Sequence, residues 1–283
     1  MILVDLNQVM ISNLMAQIGN HTDAKLDESM LRHMILNTLR YNRQKFHNEF
    51  GELVICADDR NYWRRQLFPY YKAARKKSRE DSEMDWSSIF NSLNKIREEL
   101  KEFFPYKVIQ VETAEADDII GAIVHLEGRD LNIGEPILIL SGDKDYVQLH
   151  KYANVKQYDP TRKRWIRHAD PEEFLYEHIV RGDASDGVPN VLSADNCFVV
   201  NTRQKPITKK RLAEWKTAEN RNEDVQRNFK RNEMLVDLSM IPEDIKNEAI
   251  DKYKSDDVND RSQLLNYFIK NRLRHLMENI QEF

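Results

Sequence analysis

Short apolar runs that end in acidic residues recur in the first half of the chain. ILVDL ends in Asp5, and ELVICADD ends in Asp58 and Asp59, which predicts two buried strands with carboxylates at their carboxyl ends. Between these runs, apolar residues repeat at helical spacing up to Gly51: Met30, Leu31, Met34, Ile35, Leu39 and Phe46. A strand, a crossover helix and a strand form a βαβ unit, which predicts a parallel sheet with helices on its faces.

The remaining pattern divides the chain into two parts. KVIQV and PILILSGDKD predict two more strands, residues 86–104 predict a helix with an apolar face, and VKQYDPTRKRWIR predicts a hairpin. After this hairpin the pattern is helical: PEEFLYEHIVR, KKRLAEW, EDVQRNFKRNEMLVDL and RSQLLNYFIKNRLRHLMENIQEF. The apolar face of the last helix is interpreted as core: Leu264, Leu265, Phe268, Ile269, Leu273 and Leu276. We therefore predict an α/β core over residues 1–168 and a helical subdomain over residues 169–283.

Composition excludes several classes of protein. The 283 residues are 41% hydrophobic and 32% charged, and no apolar run reaches the roughly 18 residues that a membrane helix needs. The start, MILVDLNQ, lacks the features of a signal peptide, so we expect a cytoplasmic protein without membrane contact. Cys56 and Cys197 are interpreted as free thiols, and the eight histidines, which show no metal-ligand spacing, as surface or packing residues.

Acidic residues cluster between Thr113 and Asp145, where a helix is predicted to begin and a strand to end: Glu115, Asp117, Asp118, Asp143 and Asp145. Ligands of parallel sheets bind at the carboxyl ends of the strands, so Asp5, Asp58 and Asp143 are predicted to converge there. Gathered carboxylates repel one another unless a cation holds them, and an all-oxygen set favours Mg²⁺ or Mn²⁺ over zinc.

Single acids have simpler interpretations. Residues at a helix start, such as Asp117 and Asp118, favour the positive end of the helix dipole, and Asp183 of the sequence GDASD suits a cap. Asp59, one position beyond the strand end, is interpreted as a surface acid. The metal hypothesis therefore depends on the whole set of acids.

A basic segment follows the second predicted strand. Eight Lys or Arg and no Asp or Glu lie between Arg60 and Arg79, interleaved with aromatic residues: Tyr62, Trp63, Phe68, Tyr70 and Tyr71. Cations contact phosphates and rings stack on bases, a combination typical of single-stranded nucleic-acid binding. The alternative is a solvated helix whose aromatic residues pack on the core.

Taken in order, these motifs resemble the 5′-nuclease (flap endonuclease) family: two strands ending in Asp, E-A-D-D at a helix start, S-G-D-K-D after a strand, and G-D-x-x-D after a helix. The resemblance implies a PIN-like parallel-sheet core with a basic arch over residues 60–85 and a C-terminal helical subdomain. It assigns one metal to Asp5, Asp58, Glu115, Asp117 and Asp143 and a second metal to Asp145, Asp183 and Asp186, with Asp118 between the groups.

The resemblance also implies roles for basic residues. Lys72 and Arg75 match arch residues that reach the scissile phosphate, so they join Asp5, Asp58, Asp117 and Asp143 as expected catalytic residues. The expected nucleic-acid contacts are Arg60, Trp63, Arg64, Arg65, Tyr70, Tyr71, Lys72, Arg75, Lys76, Lys77, Lys209, Lys210 and Arg211. The chain lacks the glycine-rich hairpin that grips duplex in relatives, and Lys205 is a further expected substitute.

The activity that the resemblance implies is two-metal hydrolysis of phosphodiesters with Mg²⁺, or Mn²⁺ as a substitute. The expected enzyme is a monomeric 5′ to 3′ exonuclease and flap endonuclease with ribonuclease H activity. Its expected substrates are RNA/DNA hybrid and nicked or flapped duplex DNA. Phage relatives remove RNA primers from lagging-strand fragments in the host cytoplasm, and the closing NIQEF suggests contact with a single-stranded DNA-binding protein. A sliding-clamp contact through a leader peptide is not expected, because the chain begins at its first strand.

Two other functions are compatible with parts of the pattern. A non-catalytic binder of flaps would keep the fold, but such relatives lose site acids that this chain retains. A small toxin-type ribonuclease would share the acids, but those chains lack the arch and the helical half.

Overall fold

The computed structural model describes residues 1–18, 28–82, 84–129 and 134–283, without the side chains of residues 76–78 and 80. Its strands are β1 (Ile2–Asp5), β2 (Leu53–Ala57), β3 (Lys107–Gln110), β4 (Ile137–Leu140), β5 (Val155–Asp159) and β6 (Arg164–Ile166). They form one sheet in the order β3-β2-β1-β4-β5-β6. All neighbours are parallel except β5 and β6, which form the predicted hairpin. The predicted fold class is therefore confirmed.

The α-helices of the described residues are α1 (Leu6–Ile18), α2 (Glu28–Phe50), α3 (Arg64–Leu67), α4 (Ala73–Glu80), α5 (Trp86–Phe103), α6 (Ala116–Glu127), α7 (Pro171–Arg181), α8 (Lys209–Glu214), α9 (Glu223–Val236), α10 (Glu243–Lys254), α11 (Leu264–Lys270) and α12 (Arg274–Met277). None of them is long and apolar enough to cross a membrane. Cys56 and Cys197 are buried free thiols, as predicted.

Helices α1 and α10 were not predicted from the sequence. Helix α1 follows β1 without a turn, and the Asp5 side chain accepts a hydrogen bond from the Gln8 backbone at 3.1 Å, which caps it. Helix α10 contacts α6 and β3, and Ile245 and Ala249 of α10 lie in the same apolar cluster as Ile120 of α6. Helix α10 therefore packs on the face of the sheet that α6 covers, whereas residues of α11 and α12 lie in the apolar cluster on the opposite face.

Alternate residues of β1 separate the two layers of the core. Ile2 and Val4 pack with α2 and α5 on one face, whereas Leu3 packs with α6 and α10 on the other. Since parallel strands are covered on both faces, β2 (LVICA) and β4 (ILIL) are apolar along their length. Both layers leave the carboxyl edge of the sheet open, and the acidic residues lie at this edge.

The predicted final helix is interrupted. Arg272 has a left-handed backbone (φ +56°), and α11, α12 and a 3-10 helix over Ile280–Glu282 replace one long helix. Leu264, Phe268, Leu273 and Leu276 are buried, but Leu265 and Ile269 are 48% and 59% exposed. The prediction that the whole apolar face is core was therefore wrong for Leu265 and Ile269.

Candidate metal centre and active site

Four carboxylates converge where strands of the sheet end. Asp5 ends β1, Asp58 and Asp143 follow β2 and β4, and Asp117 lies in the first turn of α6. The Asp58 side chain accepts a hydrogen bond from the Ala116 backbone at 2.8 Å, which joins the end of β2 to the start of α6. Burial and the charges of Asp58 and Asp143 raise the pKa of Asp5 to about 7. The structure thus brings these four predicted residues together.

Tyr146 connects two of these acids. Its hydroxyl lies 2.5 Å from Asp117 Oδ1 and 3.2 Å from Asp5 Oδ2, and its one proton serves a single carboxylate at a time. Burial and the charges of Asp117 and Asp5 raise the pKa of Tyr146 well above its ordinary value, so it stays a neutral donor. Sequence analysis missed Tyr146, although it directly follows the S-G-D-K-D motif.

A second group lies beside the first, in a cleft of about 710 Å³ that Asp143, Asp145, His178 and Asp183 help to line. His178 Nδ1 is 3.5 Å from Asp145 Oδ1, and its Nε2 is 3.4 Å from Asp183 Oδ2. Although burial opposes it, hydrogen bonds from His178 and Ser185 lower the pKa of Asp183. The interpretation of every histidine as a surface or packing residue was therefore wrong for His178, which lies five residues before Asp183.

Glu115 and Asp186 are ion-paired with the basic segment. Lys72, at φ +55°, donates to Glu115 and lies 3.3 Å from Asp186 Oδ2, and Arg75 pairs with Asp186. The Tyr71 hydroxyl lies 2.9 Å from Glu115 Oε2 and 2.8 Å from Asp186 Oδ2, and its one proton serves one of these carboxylates at a time. Burial alone would raise the pKa of Glu115, but Lys72 and Arg64 lower it. The basic segment is thus closed onto the acidic cluster.

Asp118 faces a different direction from Asp117. It is fully buried, Arg64 Nη1 lies 2.8 Å from its Oδ1, and Trp63 Nε1 donates to its Oδ2 at 3.0 Å. Adjacent helical residues point about 100° apart, so the two aspartates cannot face one site. Asp118 was predicted among the metal ligands. In the structure it instead pairs with Arg64 and holds that side chain in place.

Several expected nucleic-acid contacts are internal. Trp63, Arg64 and Tyr71 are only 6%, 3% and 3% exposed, so their rings and guanidinium hold the segment together, which differs from the prediction. Half or fully exposed members of the expected set are Arg60, Arg65, Tyr70, Arg75, Lys209, Lys210 and Arg211. The side chains of Lys76 and Lys77 lie outside the described part of the structure.

Five acids, which we call the open acidic cluster, have the chemistry that suits a hard divalent cation. Burial and the charges of neighbouring acids raise the pKa of each of these five: Asp5, Asp58, Asp117, Asp143 and Asp145. Buried carboxylates that repel one another in this way favour either protons or cations, and an all-oxygen donor set suits Mg²⁺ or Mn²⁺. Glu115 and Asp186 differ, since lysine and arginine already neutralise them.

Comparison with known proteins covers the whole chain. Residues 1–178 match the family described as 5′-3′ exonuclease, N-terminal resolvase-like domain, and residues 170–283 match T4 RNase H, C terminal. The Ribonuclease H of Enterobacteria phage T4 is 34% identical over 99% of this chain and 95% of that protein. A 5′-3′ exonuclease of Buchnera aphidicola (subsp. Acyrthosiphon pisum) is 30% identical over 52% of this chain and 50% of its own length.

Solved structures agree on the fold. The T5 flap endonuclease in a pseudo-enzyme-product complex with DNA and metal ions has a TM-score of 0.62 at 18% identity, covering 89% of this chain and 97% of that one. The T5 5′-exonuclease with divalent metal ions (zinc) bound has a TM-score of 0.60 at 17% identity, covering 90% and 98%. The chain therefore belongs to the 5′-3′ exonuclease and flap endonuclease family, and it is a nuclease that hydrolyses phosphodiester bonds.

Proposed function

We propose that this nuclease is a Mg²⁺-dependent 5′ to 3′ exonuclease and flap endonuclease with ribonuclease H activity. It removes RNA primers and 5′ flaps during phage lagging-strand DNA replication. The observation that carries the proposal is the closed arrangement of Lys72 and Arg75 on Glu115 and Asp186, beside the open acidic cluster. The likeness to the phage T4 Ribonuclease H over nearly the whole chain supports the biological setting.

Two groups of acids would hold two Mg²⁺ ions, for which Mn²⁺ substitutes. The first group is Asp5, Asp58, Glu115, Asp117 and Asp143, and the second is Asp145, Asp183 and Asp186. When bound, such ions lower the pKa of water and stabilise the leaving 3′ oxygen of the cleaved strand. The products are a 5′ phosphate and a 3′ hydroxyl.

The protein's own groups position the phosphate and the acids. On substrate binding, Lys72 and Arg75 exchange their carboxylate partners for the phosphate, Lys72 as a point charge and Arg75 through its planar guanidinium. Both are already at the edge of the acidic cluster, so the movement is short. Tyr146 holds Asp5 and Asp117 in place throughout.

Exposed basic side chains offer further contacts for nucleic acid. Arg60 and Arg65 are exposed on the segment before α4, and Lys209, Lys210 and Arg211 are exposed on α8. Arg181, Arg203, Gln204 and Lys205 line a further pocket. These cations would contact duplex backbone in place of the glycine-rich hairpin.

The proposed enzyme has two parts and one protein partner. Residues 1–168 form the nuclease core with the arch at residues 60–85, and residues 169–283 form the helical subdomain. The protein acts as a monomer in the host cytoplasm. The C-terminal helices α11 and α12 are the contact surface for the phage single-stranded DNA-binding protein, and no sliding-clamp contact is proposed.

Cleavage of defined substrates tests the proposal. A flap labelled at its 5′ end and a nicked RNA/DNA hybrid are each incubated with the protein and MgCl₂, and products are sized on denaturing gels. We expect release of the flap and shortening of the RNA strand. Loss of both activities in native protein that is folded and loaded with Mg²⁺ would refute the proposal.

A further inference from the structure

One ring and two carboxylates form a compact donor set in the cleft. The ligand atoms of Asp145, His178 and Asp183 all lie within 4.8 Å of one another. The His178 side chain is only 13% exposed, and its two ring nitrogens face the two different aspartates. This set contains one nitrogen and two oxygen donors, whereas the first group contains oxygen donors alone.

Three separate elements fix these donors. Helix α7 carries His178, whose ring packs edge-on against Phe174 with centroids 5.8 Å apart. The turn after α7 carries Asp183, which accepts hydrogen bonds from the backbone and hydroxyl of Ser185, each at 2.7 Å. Asp145 begins the 3-10 helix after β4. Because each donor is held independently, a bound ion would find the donors already in place.

We propose that His178 is a ligand of the second metal ion, together with Asp145 and Asp183, and that its nitrogen lets this site bind Mn²⁺ more tightly than the Mg²⁺ it also accepts. The proposal rests on the proposed function, which assigns the two aspartates to that ion. Imidazole nitrogen binds transition-metal cations well, whereas Mg²⁺ prefers oxygen donors throughout.

The two ring nitrogens of His178 have different roles in this proposal. One nitrogen would hold the ion as a neutral base, while the other would donate to one oxygen of the aspartate it faces and leave that carboxylate's second oxygen for the ion. That second hydrogen bond fixes the orientation of the ring. The competing role for His178 is an imidazolium that pairs with Asp145 and Asp183 and takes no part in metal binding.

Electron paramagnetic resonance of Mn²⁺ separates the two roles without any measurement of cleavage. The native protein is titrated with Mn²⁺, and electron spin echo modulation at saturation reports nitrogen within the coordination sphere. His178→Gln replaces the nitrogen donor by an amide. His168→Gln is the matched control, since His168 also lines the cleft but bonds the backbone of Asp170 at 2.8 Å.

We expect nitrogen modulation in the native protein and in His168→Gln, and its loss in His178→Gln. Mn²⁺ affinity of the second site should fall about tenfold or more in His178→Gln, while Mg²⁺ affinity changes far less. Native protein that binds Mn²⁺ without nitrogen modulation would overturn the proposal, and this measurement needs no variant. An equal loss of Mn²⁺ and Mg²⁺ affinity in folded His178→Gln would overturn the claim of selectivity.

The outcomes distinguish this proposal from the proposed function. Cleavage of flaps by a protein without nitrogen modulation would refute the role of His178 alone. Nitrogen modulation in a protein that cuts neither flap nor hybrid would refute the proposed function and leave the ligand assignment in place.

Discussion

Lys72 donates a hydrogen bond from its ammonium group to the carboxylate of Glu115, and both side chains are buried. The backbone N–H of Lys72 also donates to the carbonyl of Asp186 at 2.7 Å. The residue expected to contact the scissile phosphate is thus held at two points in the free protein. Substrate must displace the first contact before Lys72 can act on a phosphate.

Replacing Lys72 by Ala removes a charge that we propose acts on the reacting phosphate. We expect the single-turnover rate of flap cleavage to fall about 10²- to 10³-fold, with a much smaller loss of substrate affinity. Rapid-quench assays at saturating enzyme measure the rate, and gel shifts measure affinity. Arg65→Ala, an exposed cation of the same segment, should weaken binding with little effect on the rate. A Lys72→Ala enzyme that loses affinity alone would show that Lys72 positions substrate and does no more.

Asp143 lies in the open acidic cluster and accepts a hydrogen bond from the Asp145 backbone at 3.0 Å. Asp143→Asn keeps its shape but lowers the charge available to a cation, so we expect turnover to be abolished while the substrate still shifts on a gel. Asp59→Asn is the control, because Asp59 accepts hydrogen bonds from Thr113 and Asn61 outside the cluster. Equal turnover of Asp143→Asn and the native enzyme would contradict the assignment.

Tyr146→Phe removes the hydroxyl that orients Asp5 and Asp117 but keeps the buried ring. Residues that orient metal ligands typically change metal affinity by about 10- to 100-fold. We therefore expect the Mg²⁺ concentration for half-maximal cleavage to rise, with the maximal rate restored at high Mg²⁺. A rate that stays low at saturating Mg²⁺ would instead give the hydroxyl a direct role in the reaction.

The raised pKa of Asp5 predicts the pH dependence of stability without metal. The folded protein holds this proton up to about pH 7, whereas an ordinary aspartate loses it near 3.8. Between these values the unfolded state binds fewer protons, so the free energy of unfolding falls as pH rises, by on the order of 4 kcal/mol. Thermal unfolding in EDTA at pH 5 and pH 7.5 measures the part of this change that falls between those two pH values.

Two variants of that experiment check its cause. Asp5→Asn should reduce the pH dependence, because the amide does not titrate in this range. Mg²⁺ at pH 7.5 should raise the melting temperature, because it neutralises the same acids. Stability in EDTA that increases from pH 5 to pH 7.5 would show that the acids of the cluster do not repel one another as described.

Sequence patterns predicted the parallel sheet because each buried strand is a continuous apolar run that ends in an acid or a turn. They also placed Asp5, Asp58 and Asp143 at one edge, since parallel strands share a carboxyl end. The patterns failed for Tyr146 and His178, which reach their partners through tertiary contacts between distant segments. A tyrosine or a histidine in a helix carries no local sign of such a contact.

The basic segment shows the opposite error. Counting cations and rings predicted a surface for nucleic acid, yet Arg64 and Trp63 are buried on Asp118. Charge counts assume exposure, and only the fold shows which cations have an internal partner. The two acids that pair with Arg64 lie 51 and 54 positions later in the chain.

The burial of Arg64 between Glu115 and Asp118 matters most before any divalent ion arrives. Before a divalent ion binds, unpaired buried acids would repel one another and oppose folding. Arg64 supplies permanent positive charge to Glu115 and Asp118, so these two acids are paired before any divalent ion binds. Divalent ions then bind at an acidic cluster whose surroundings are already folded.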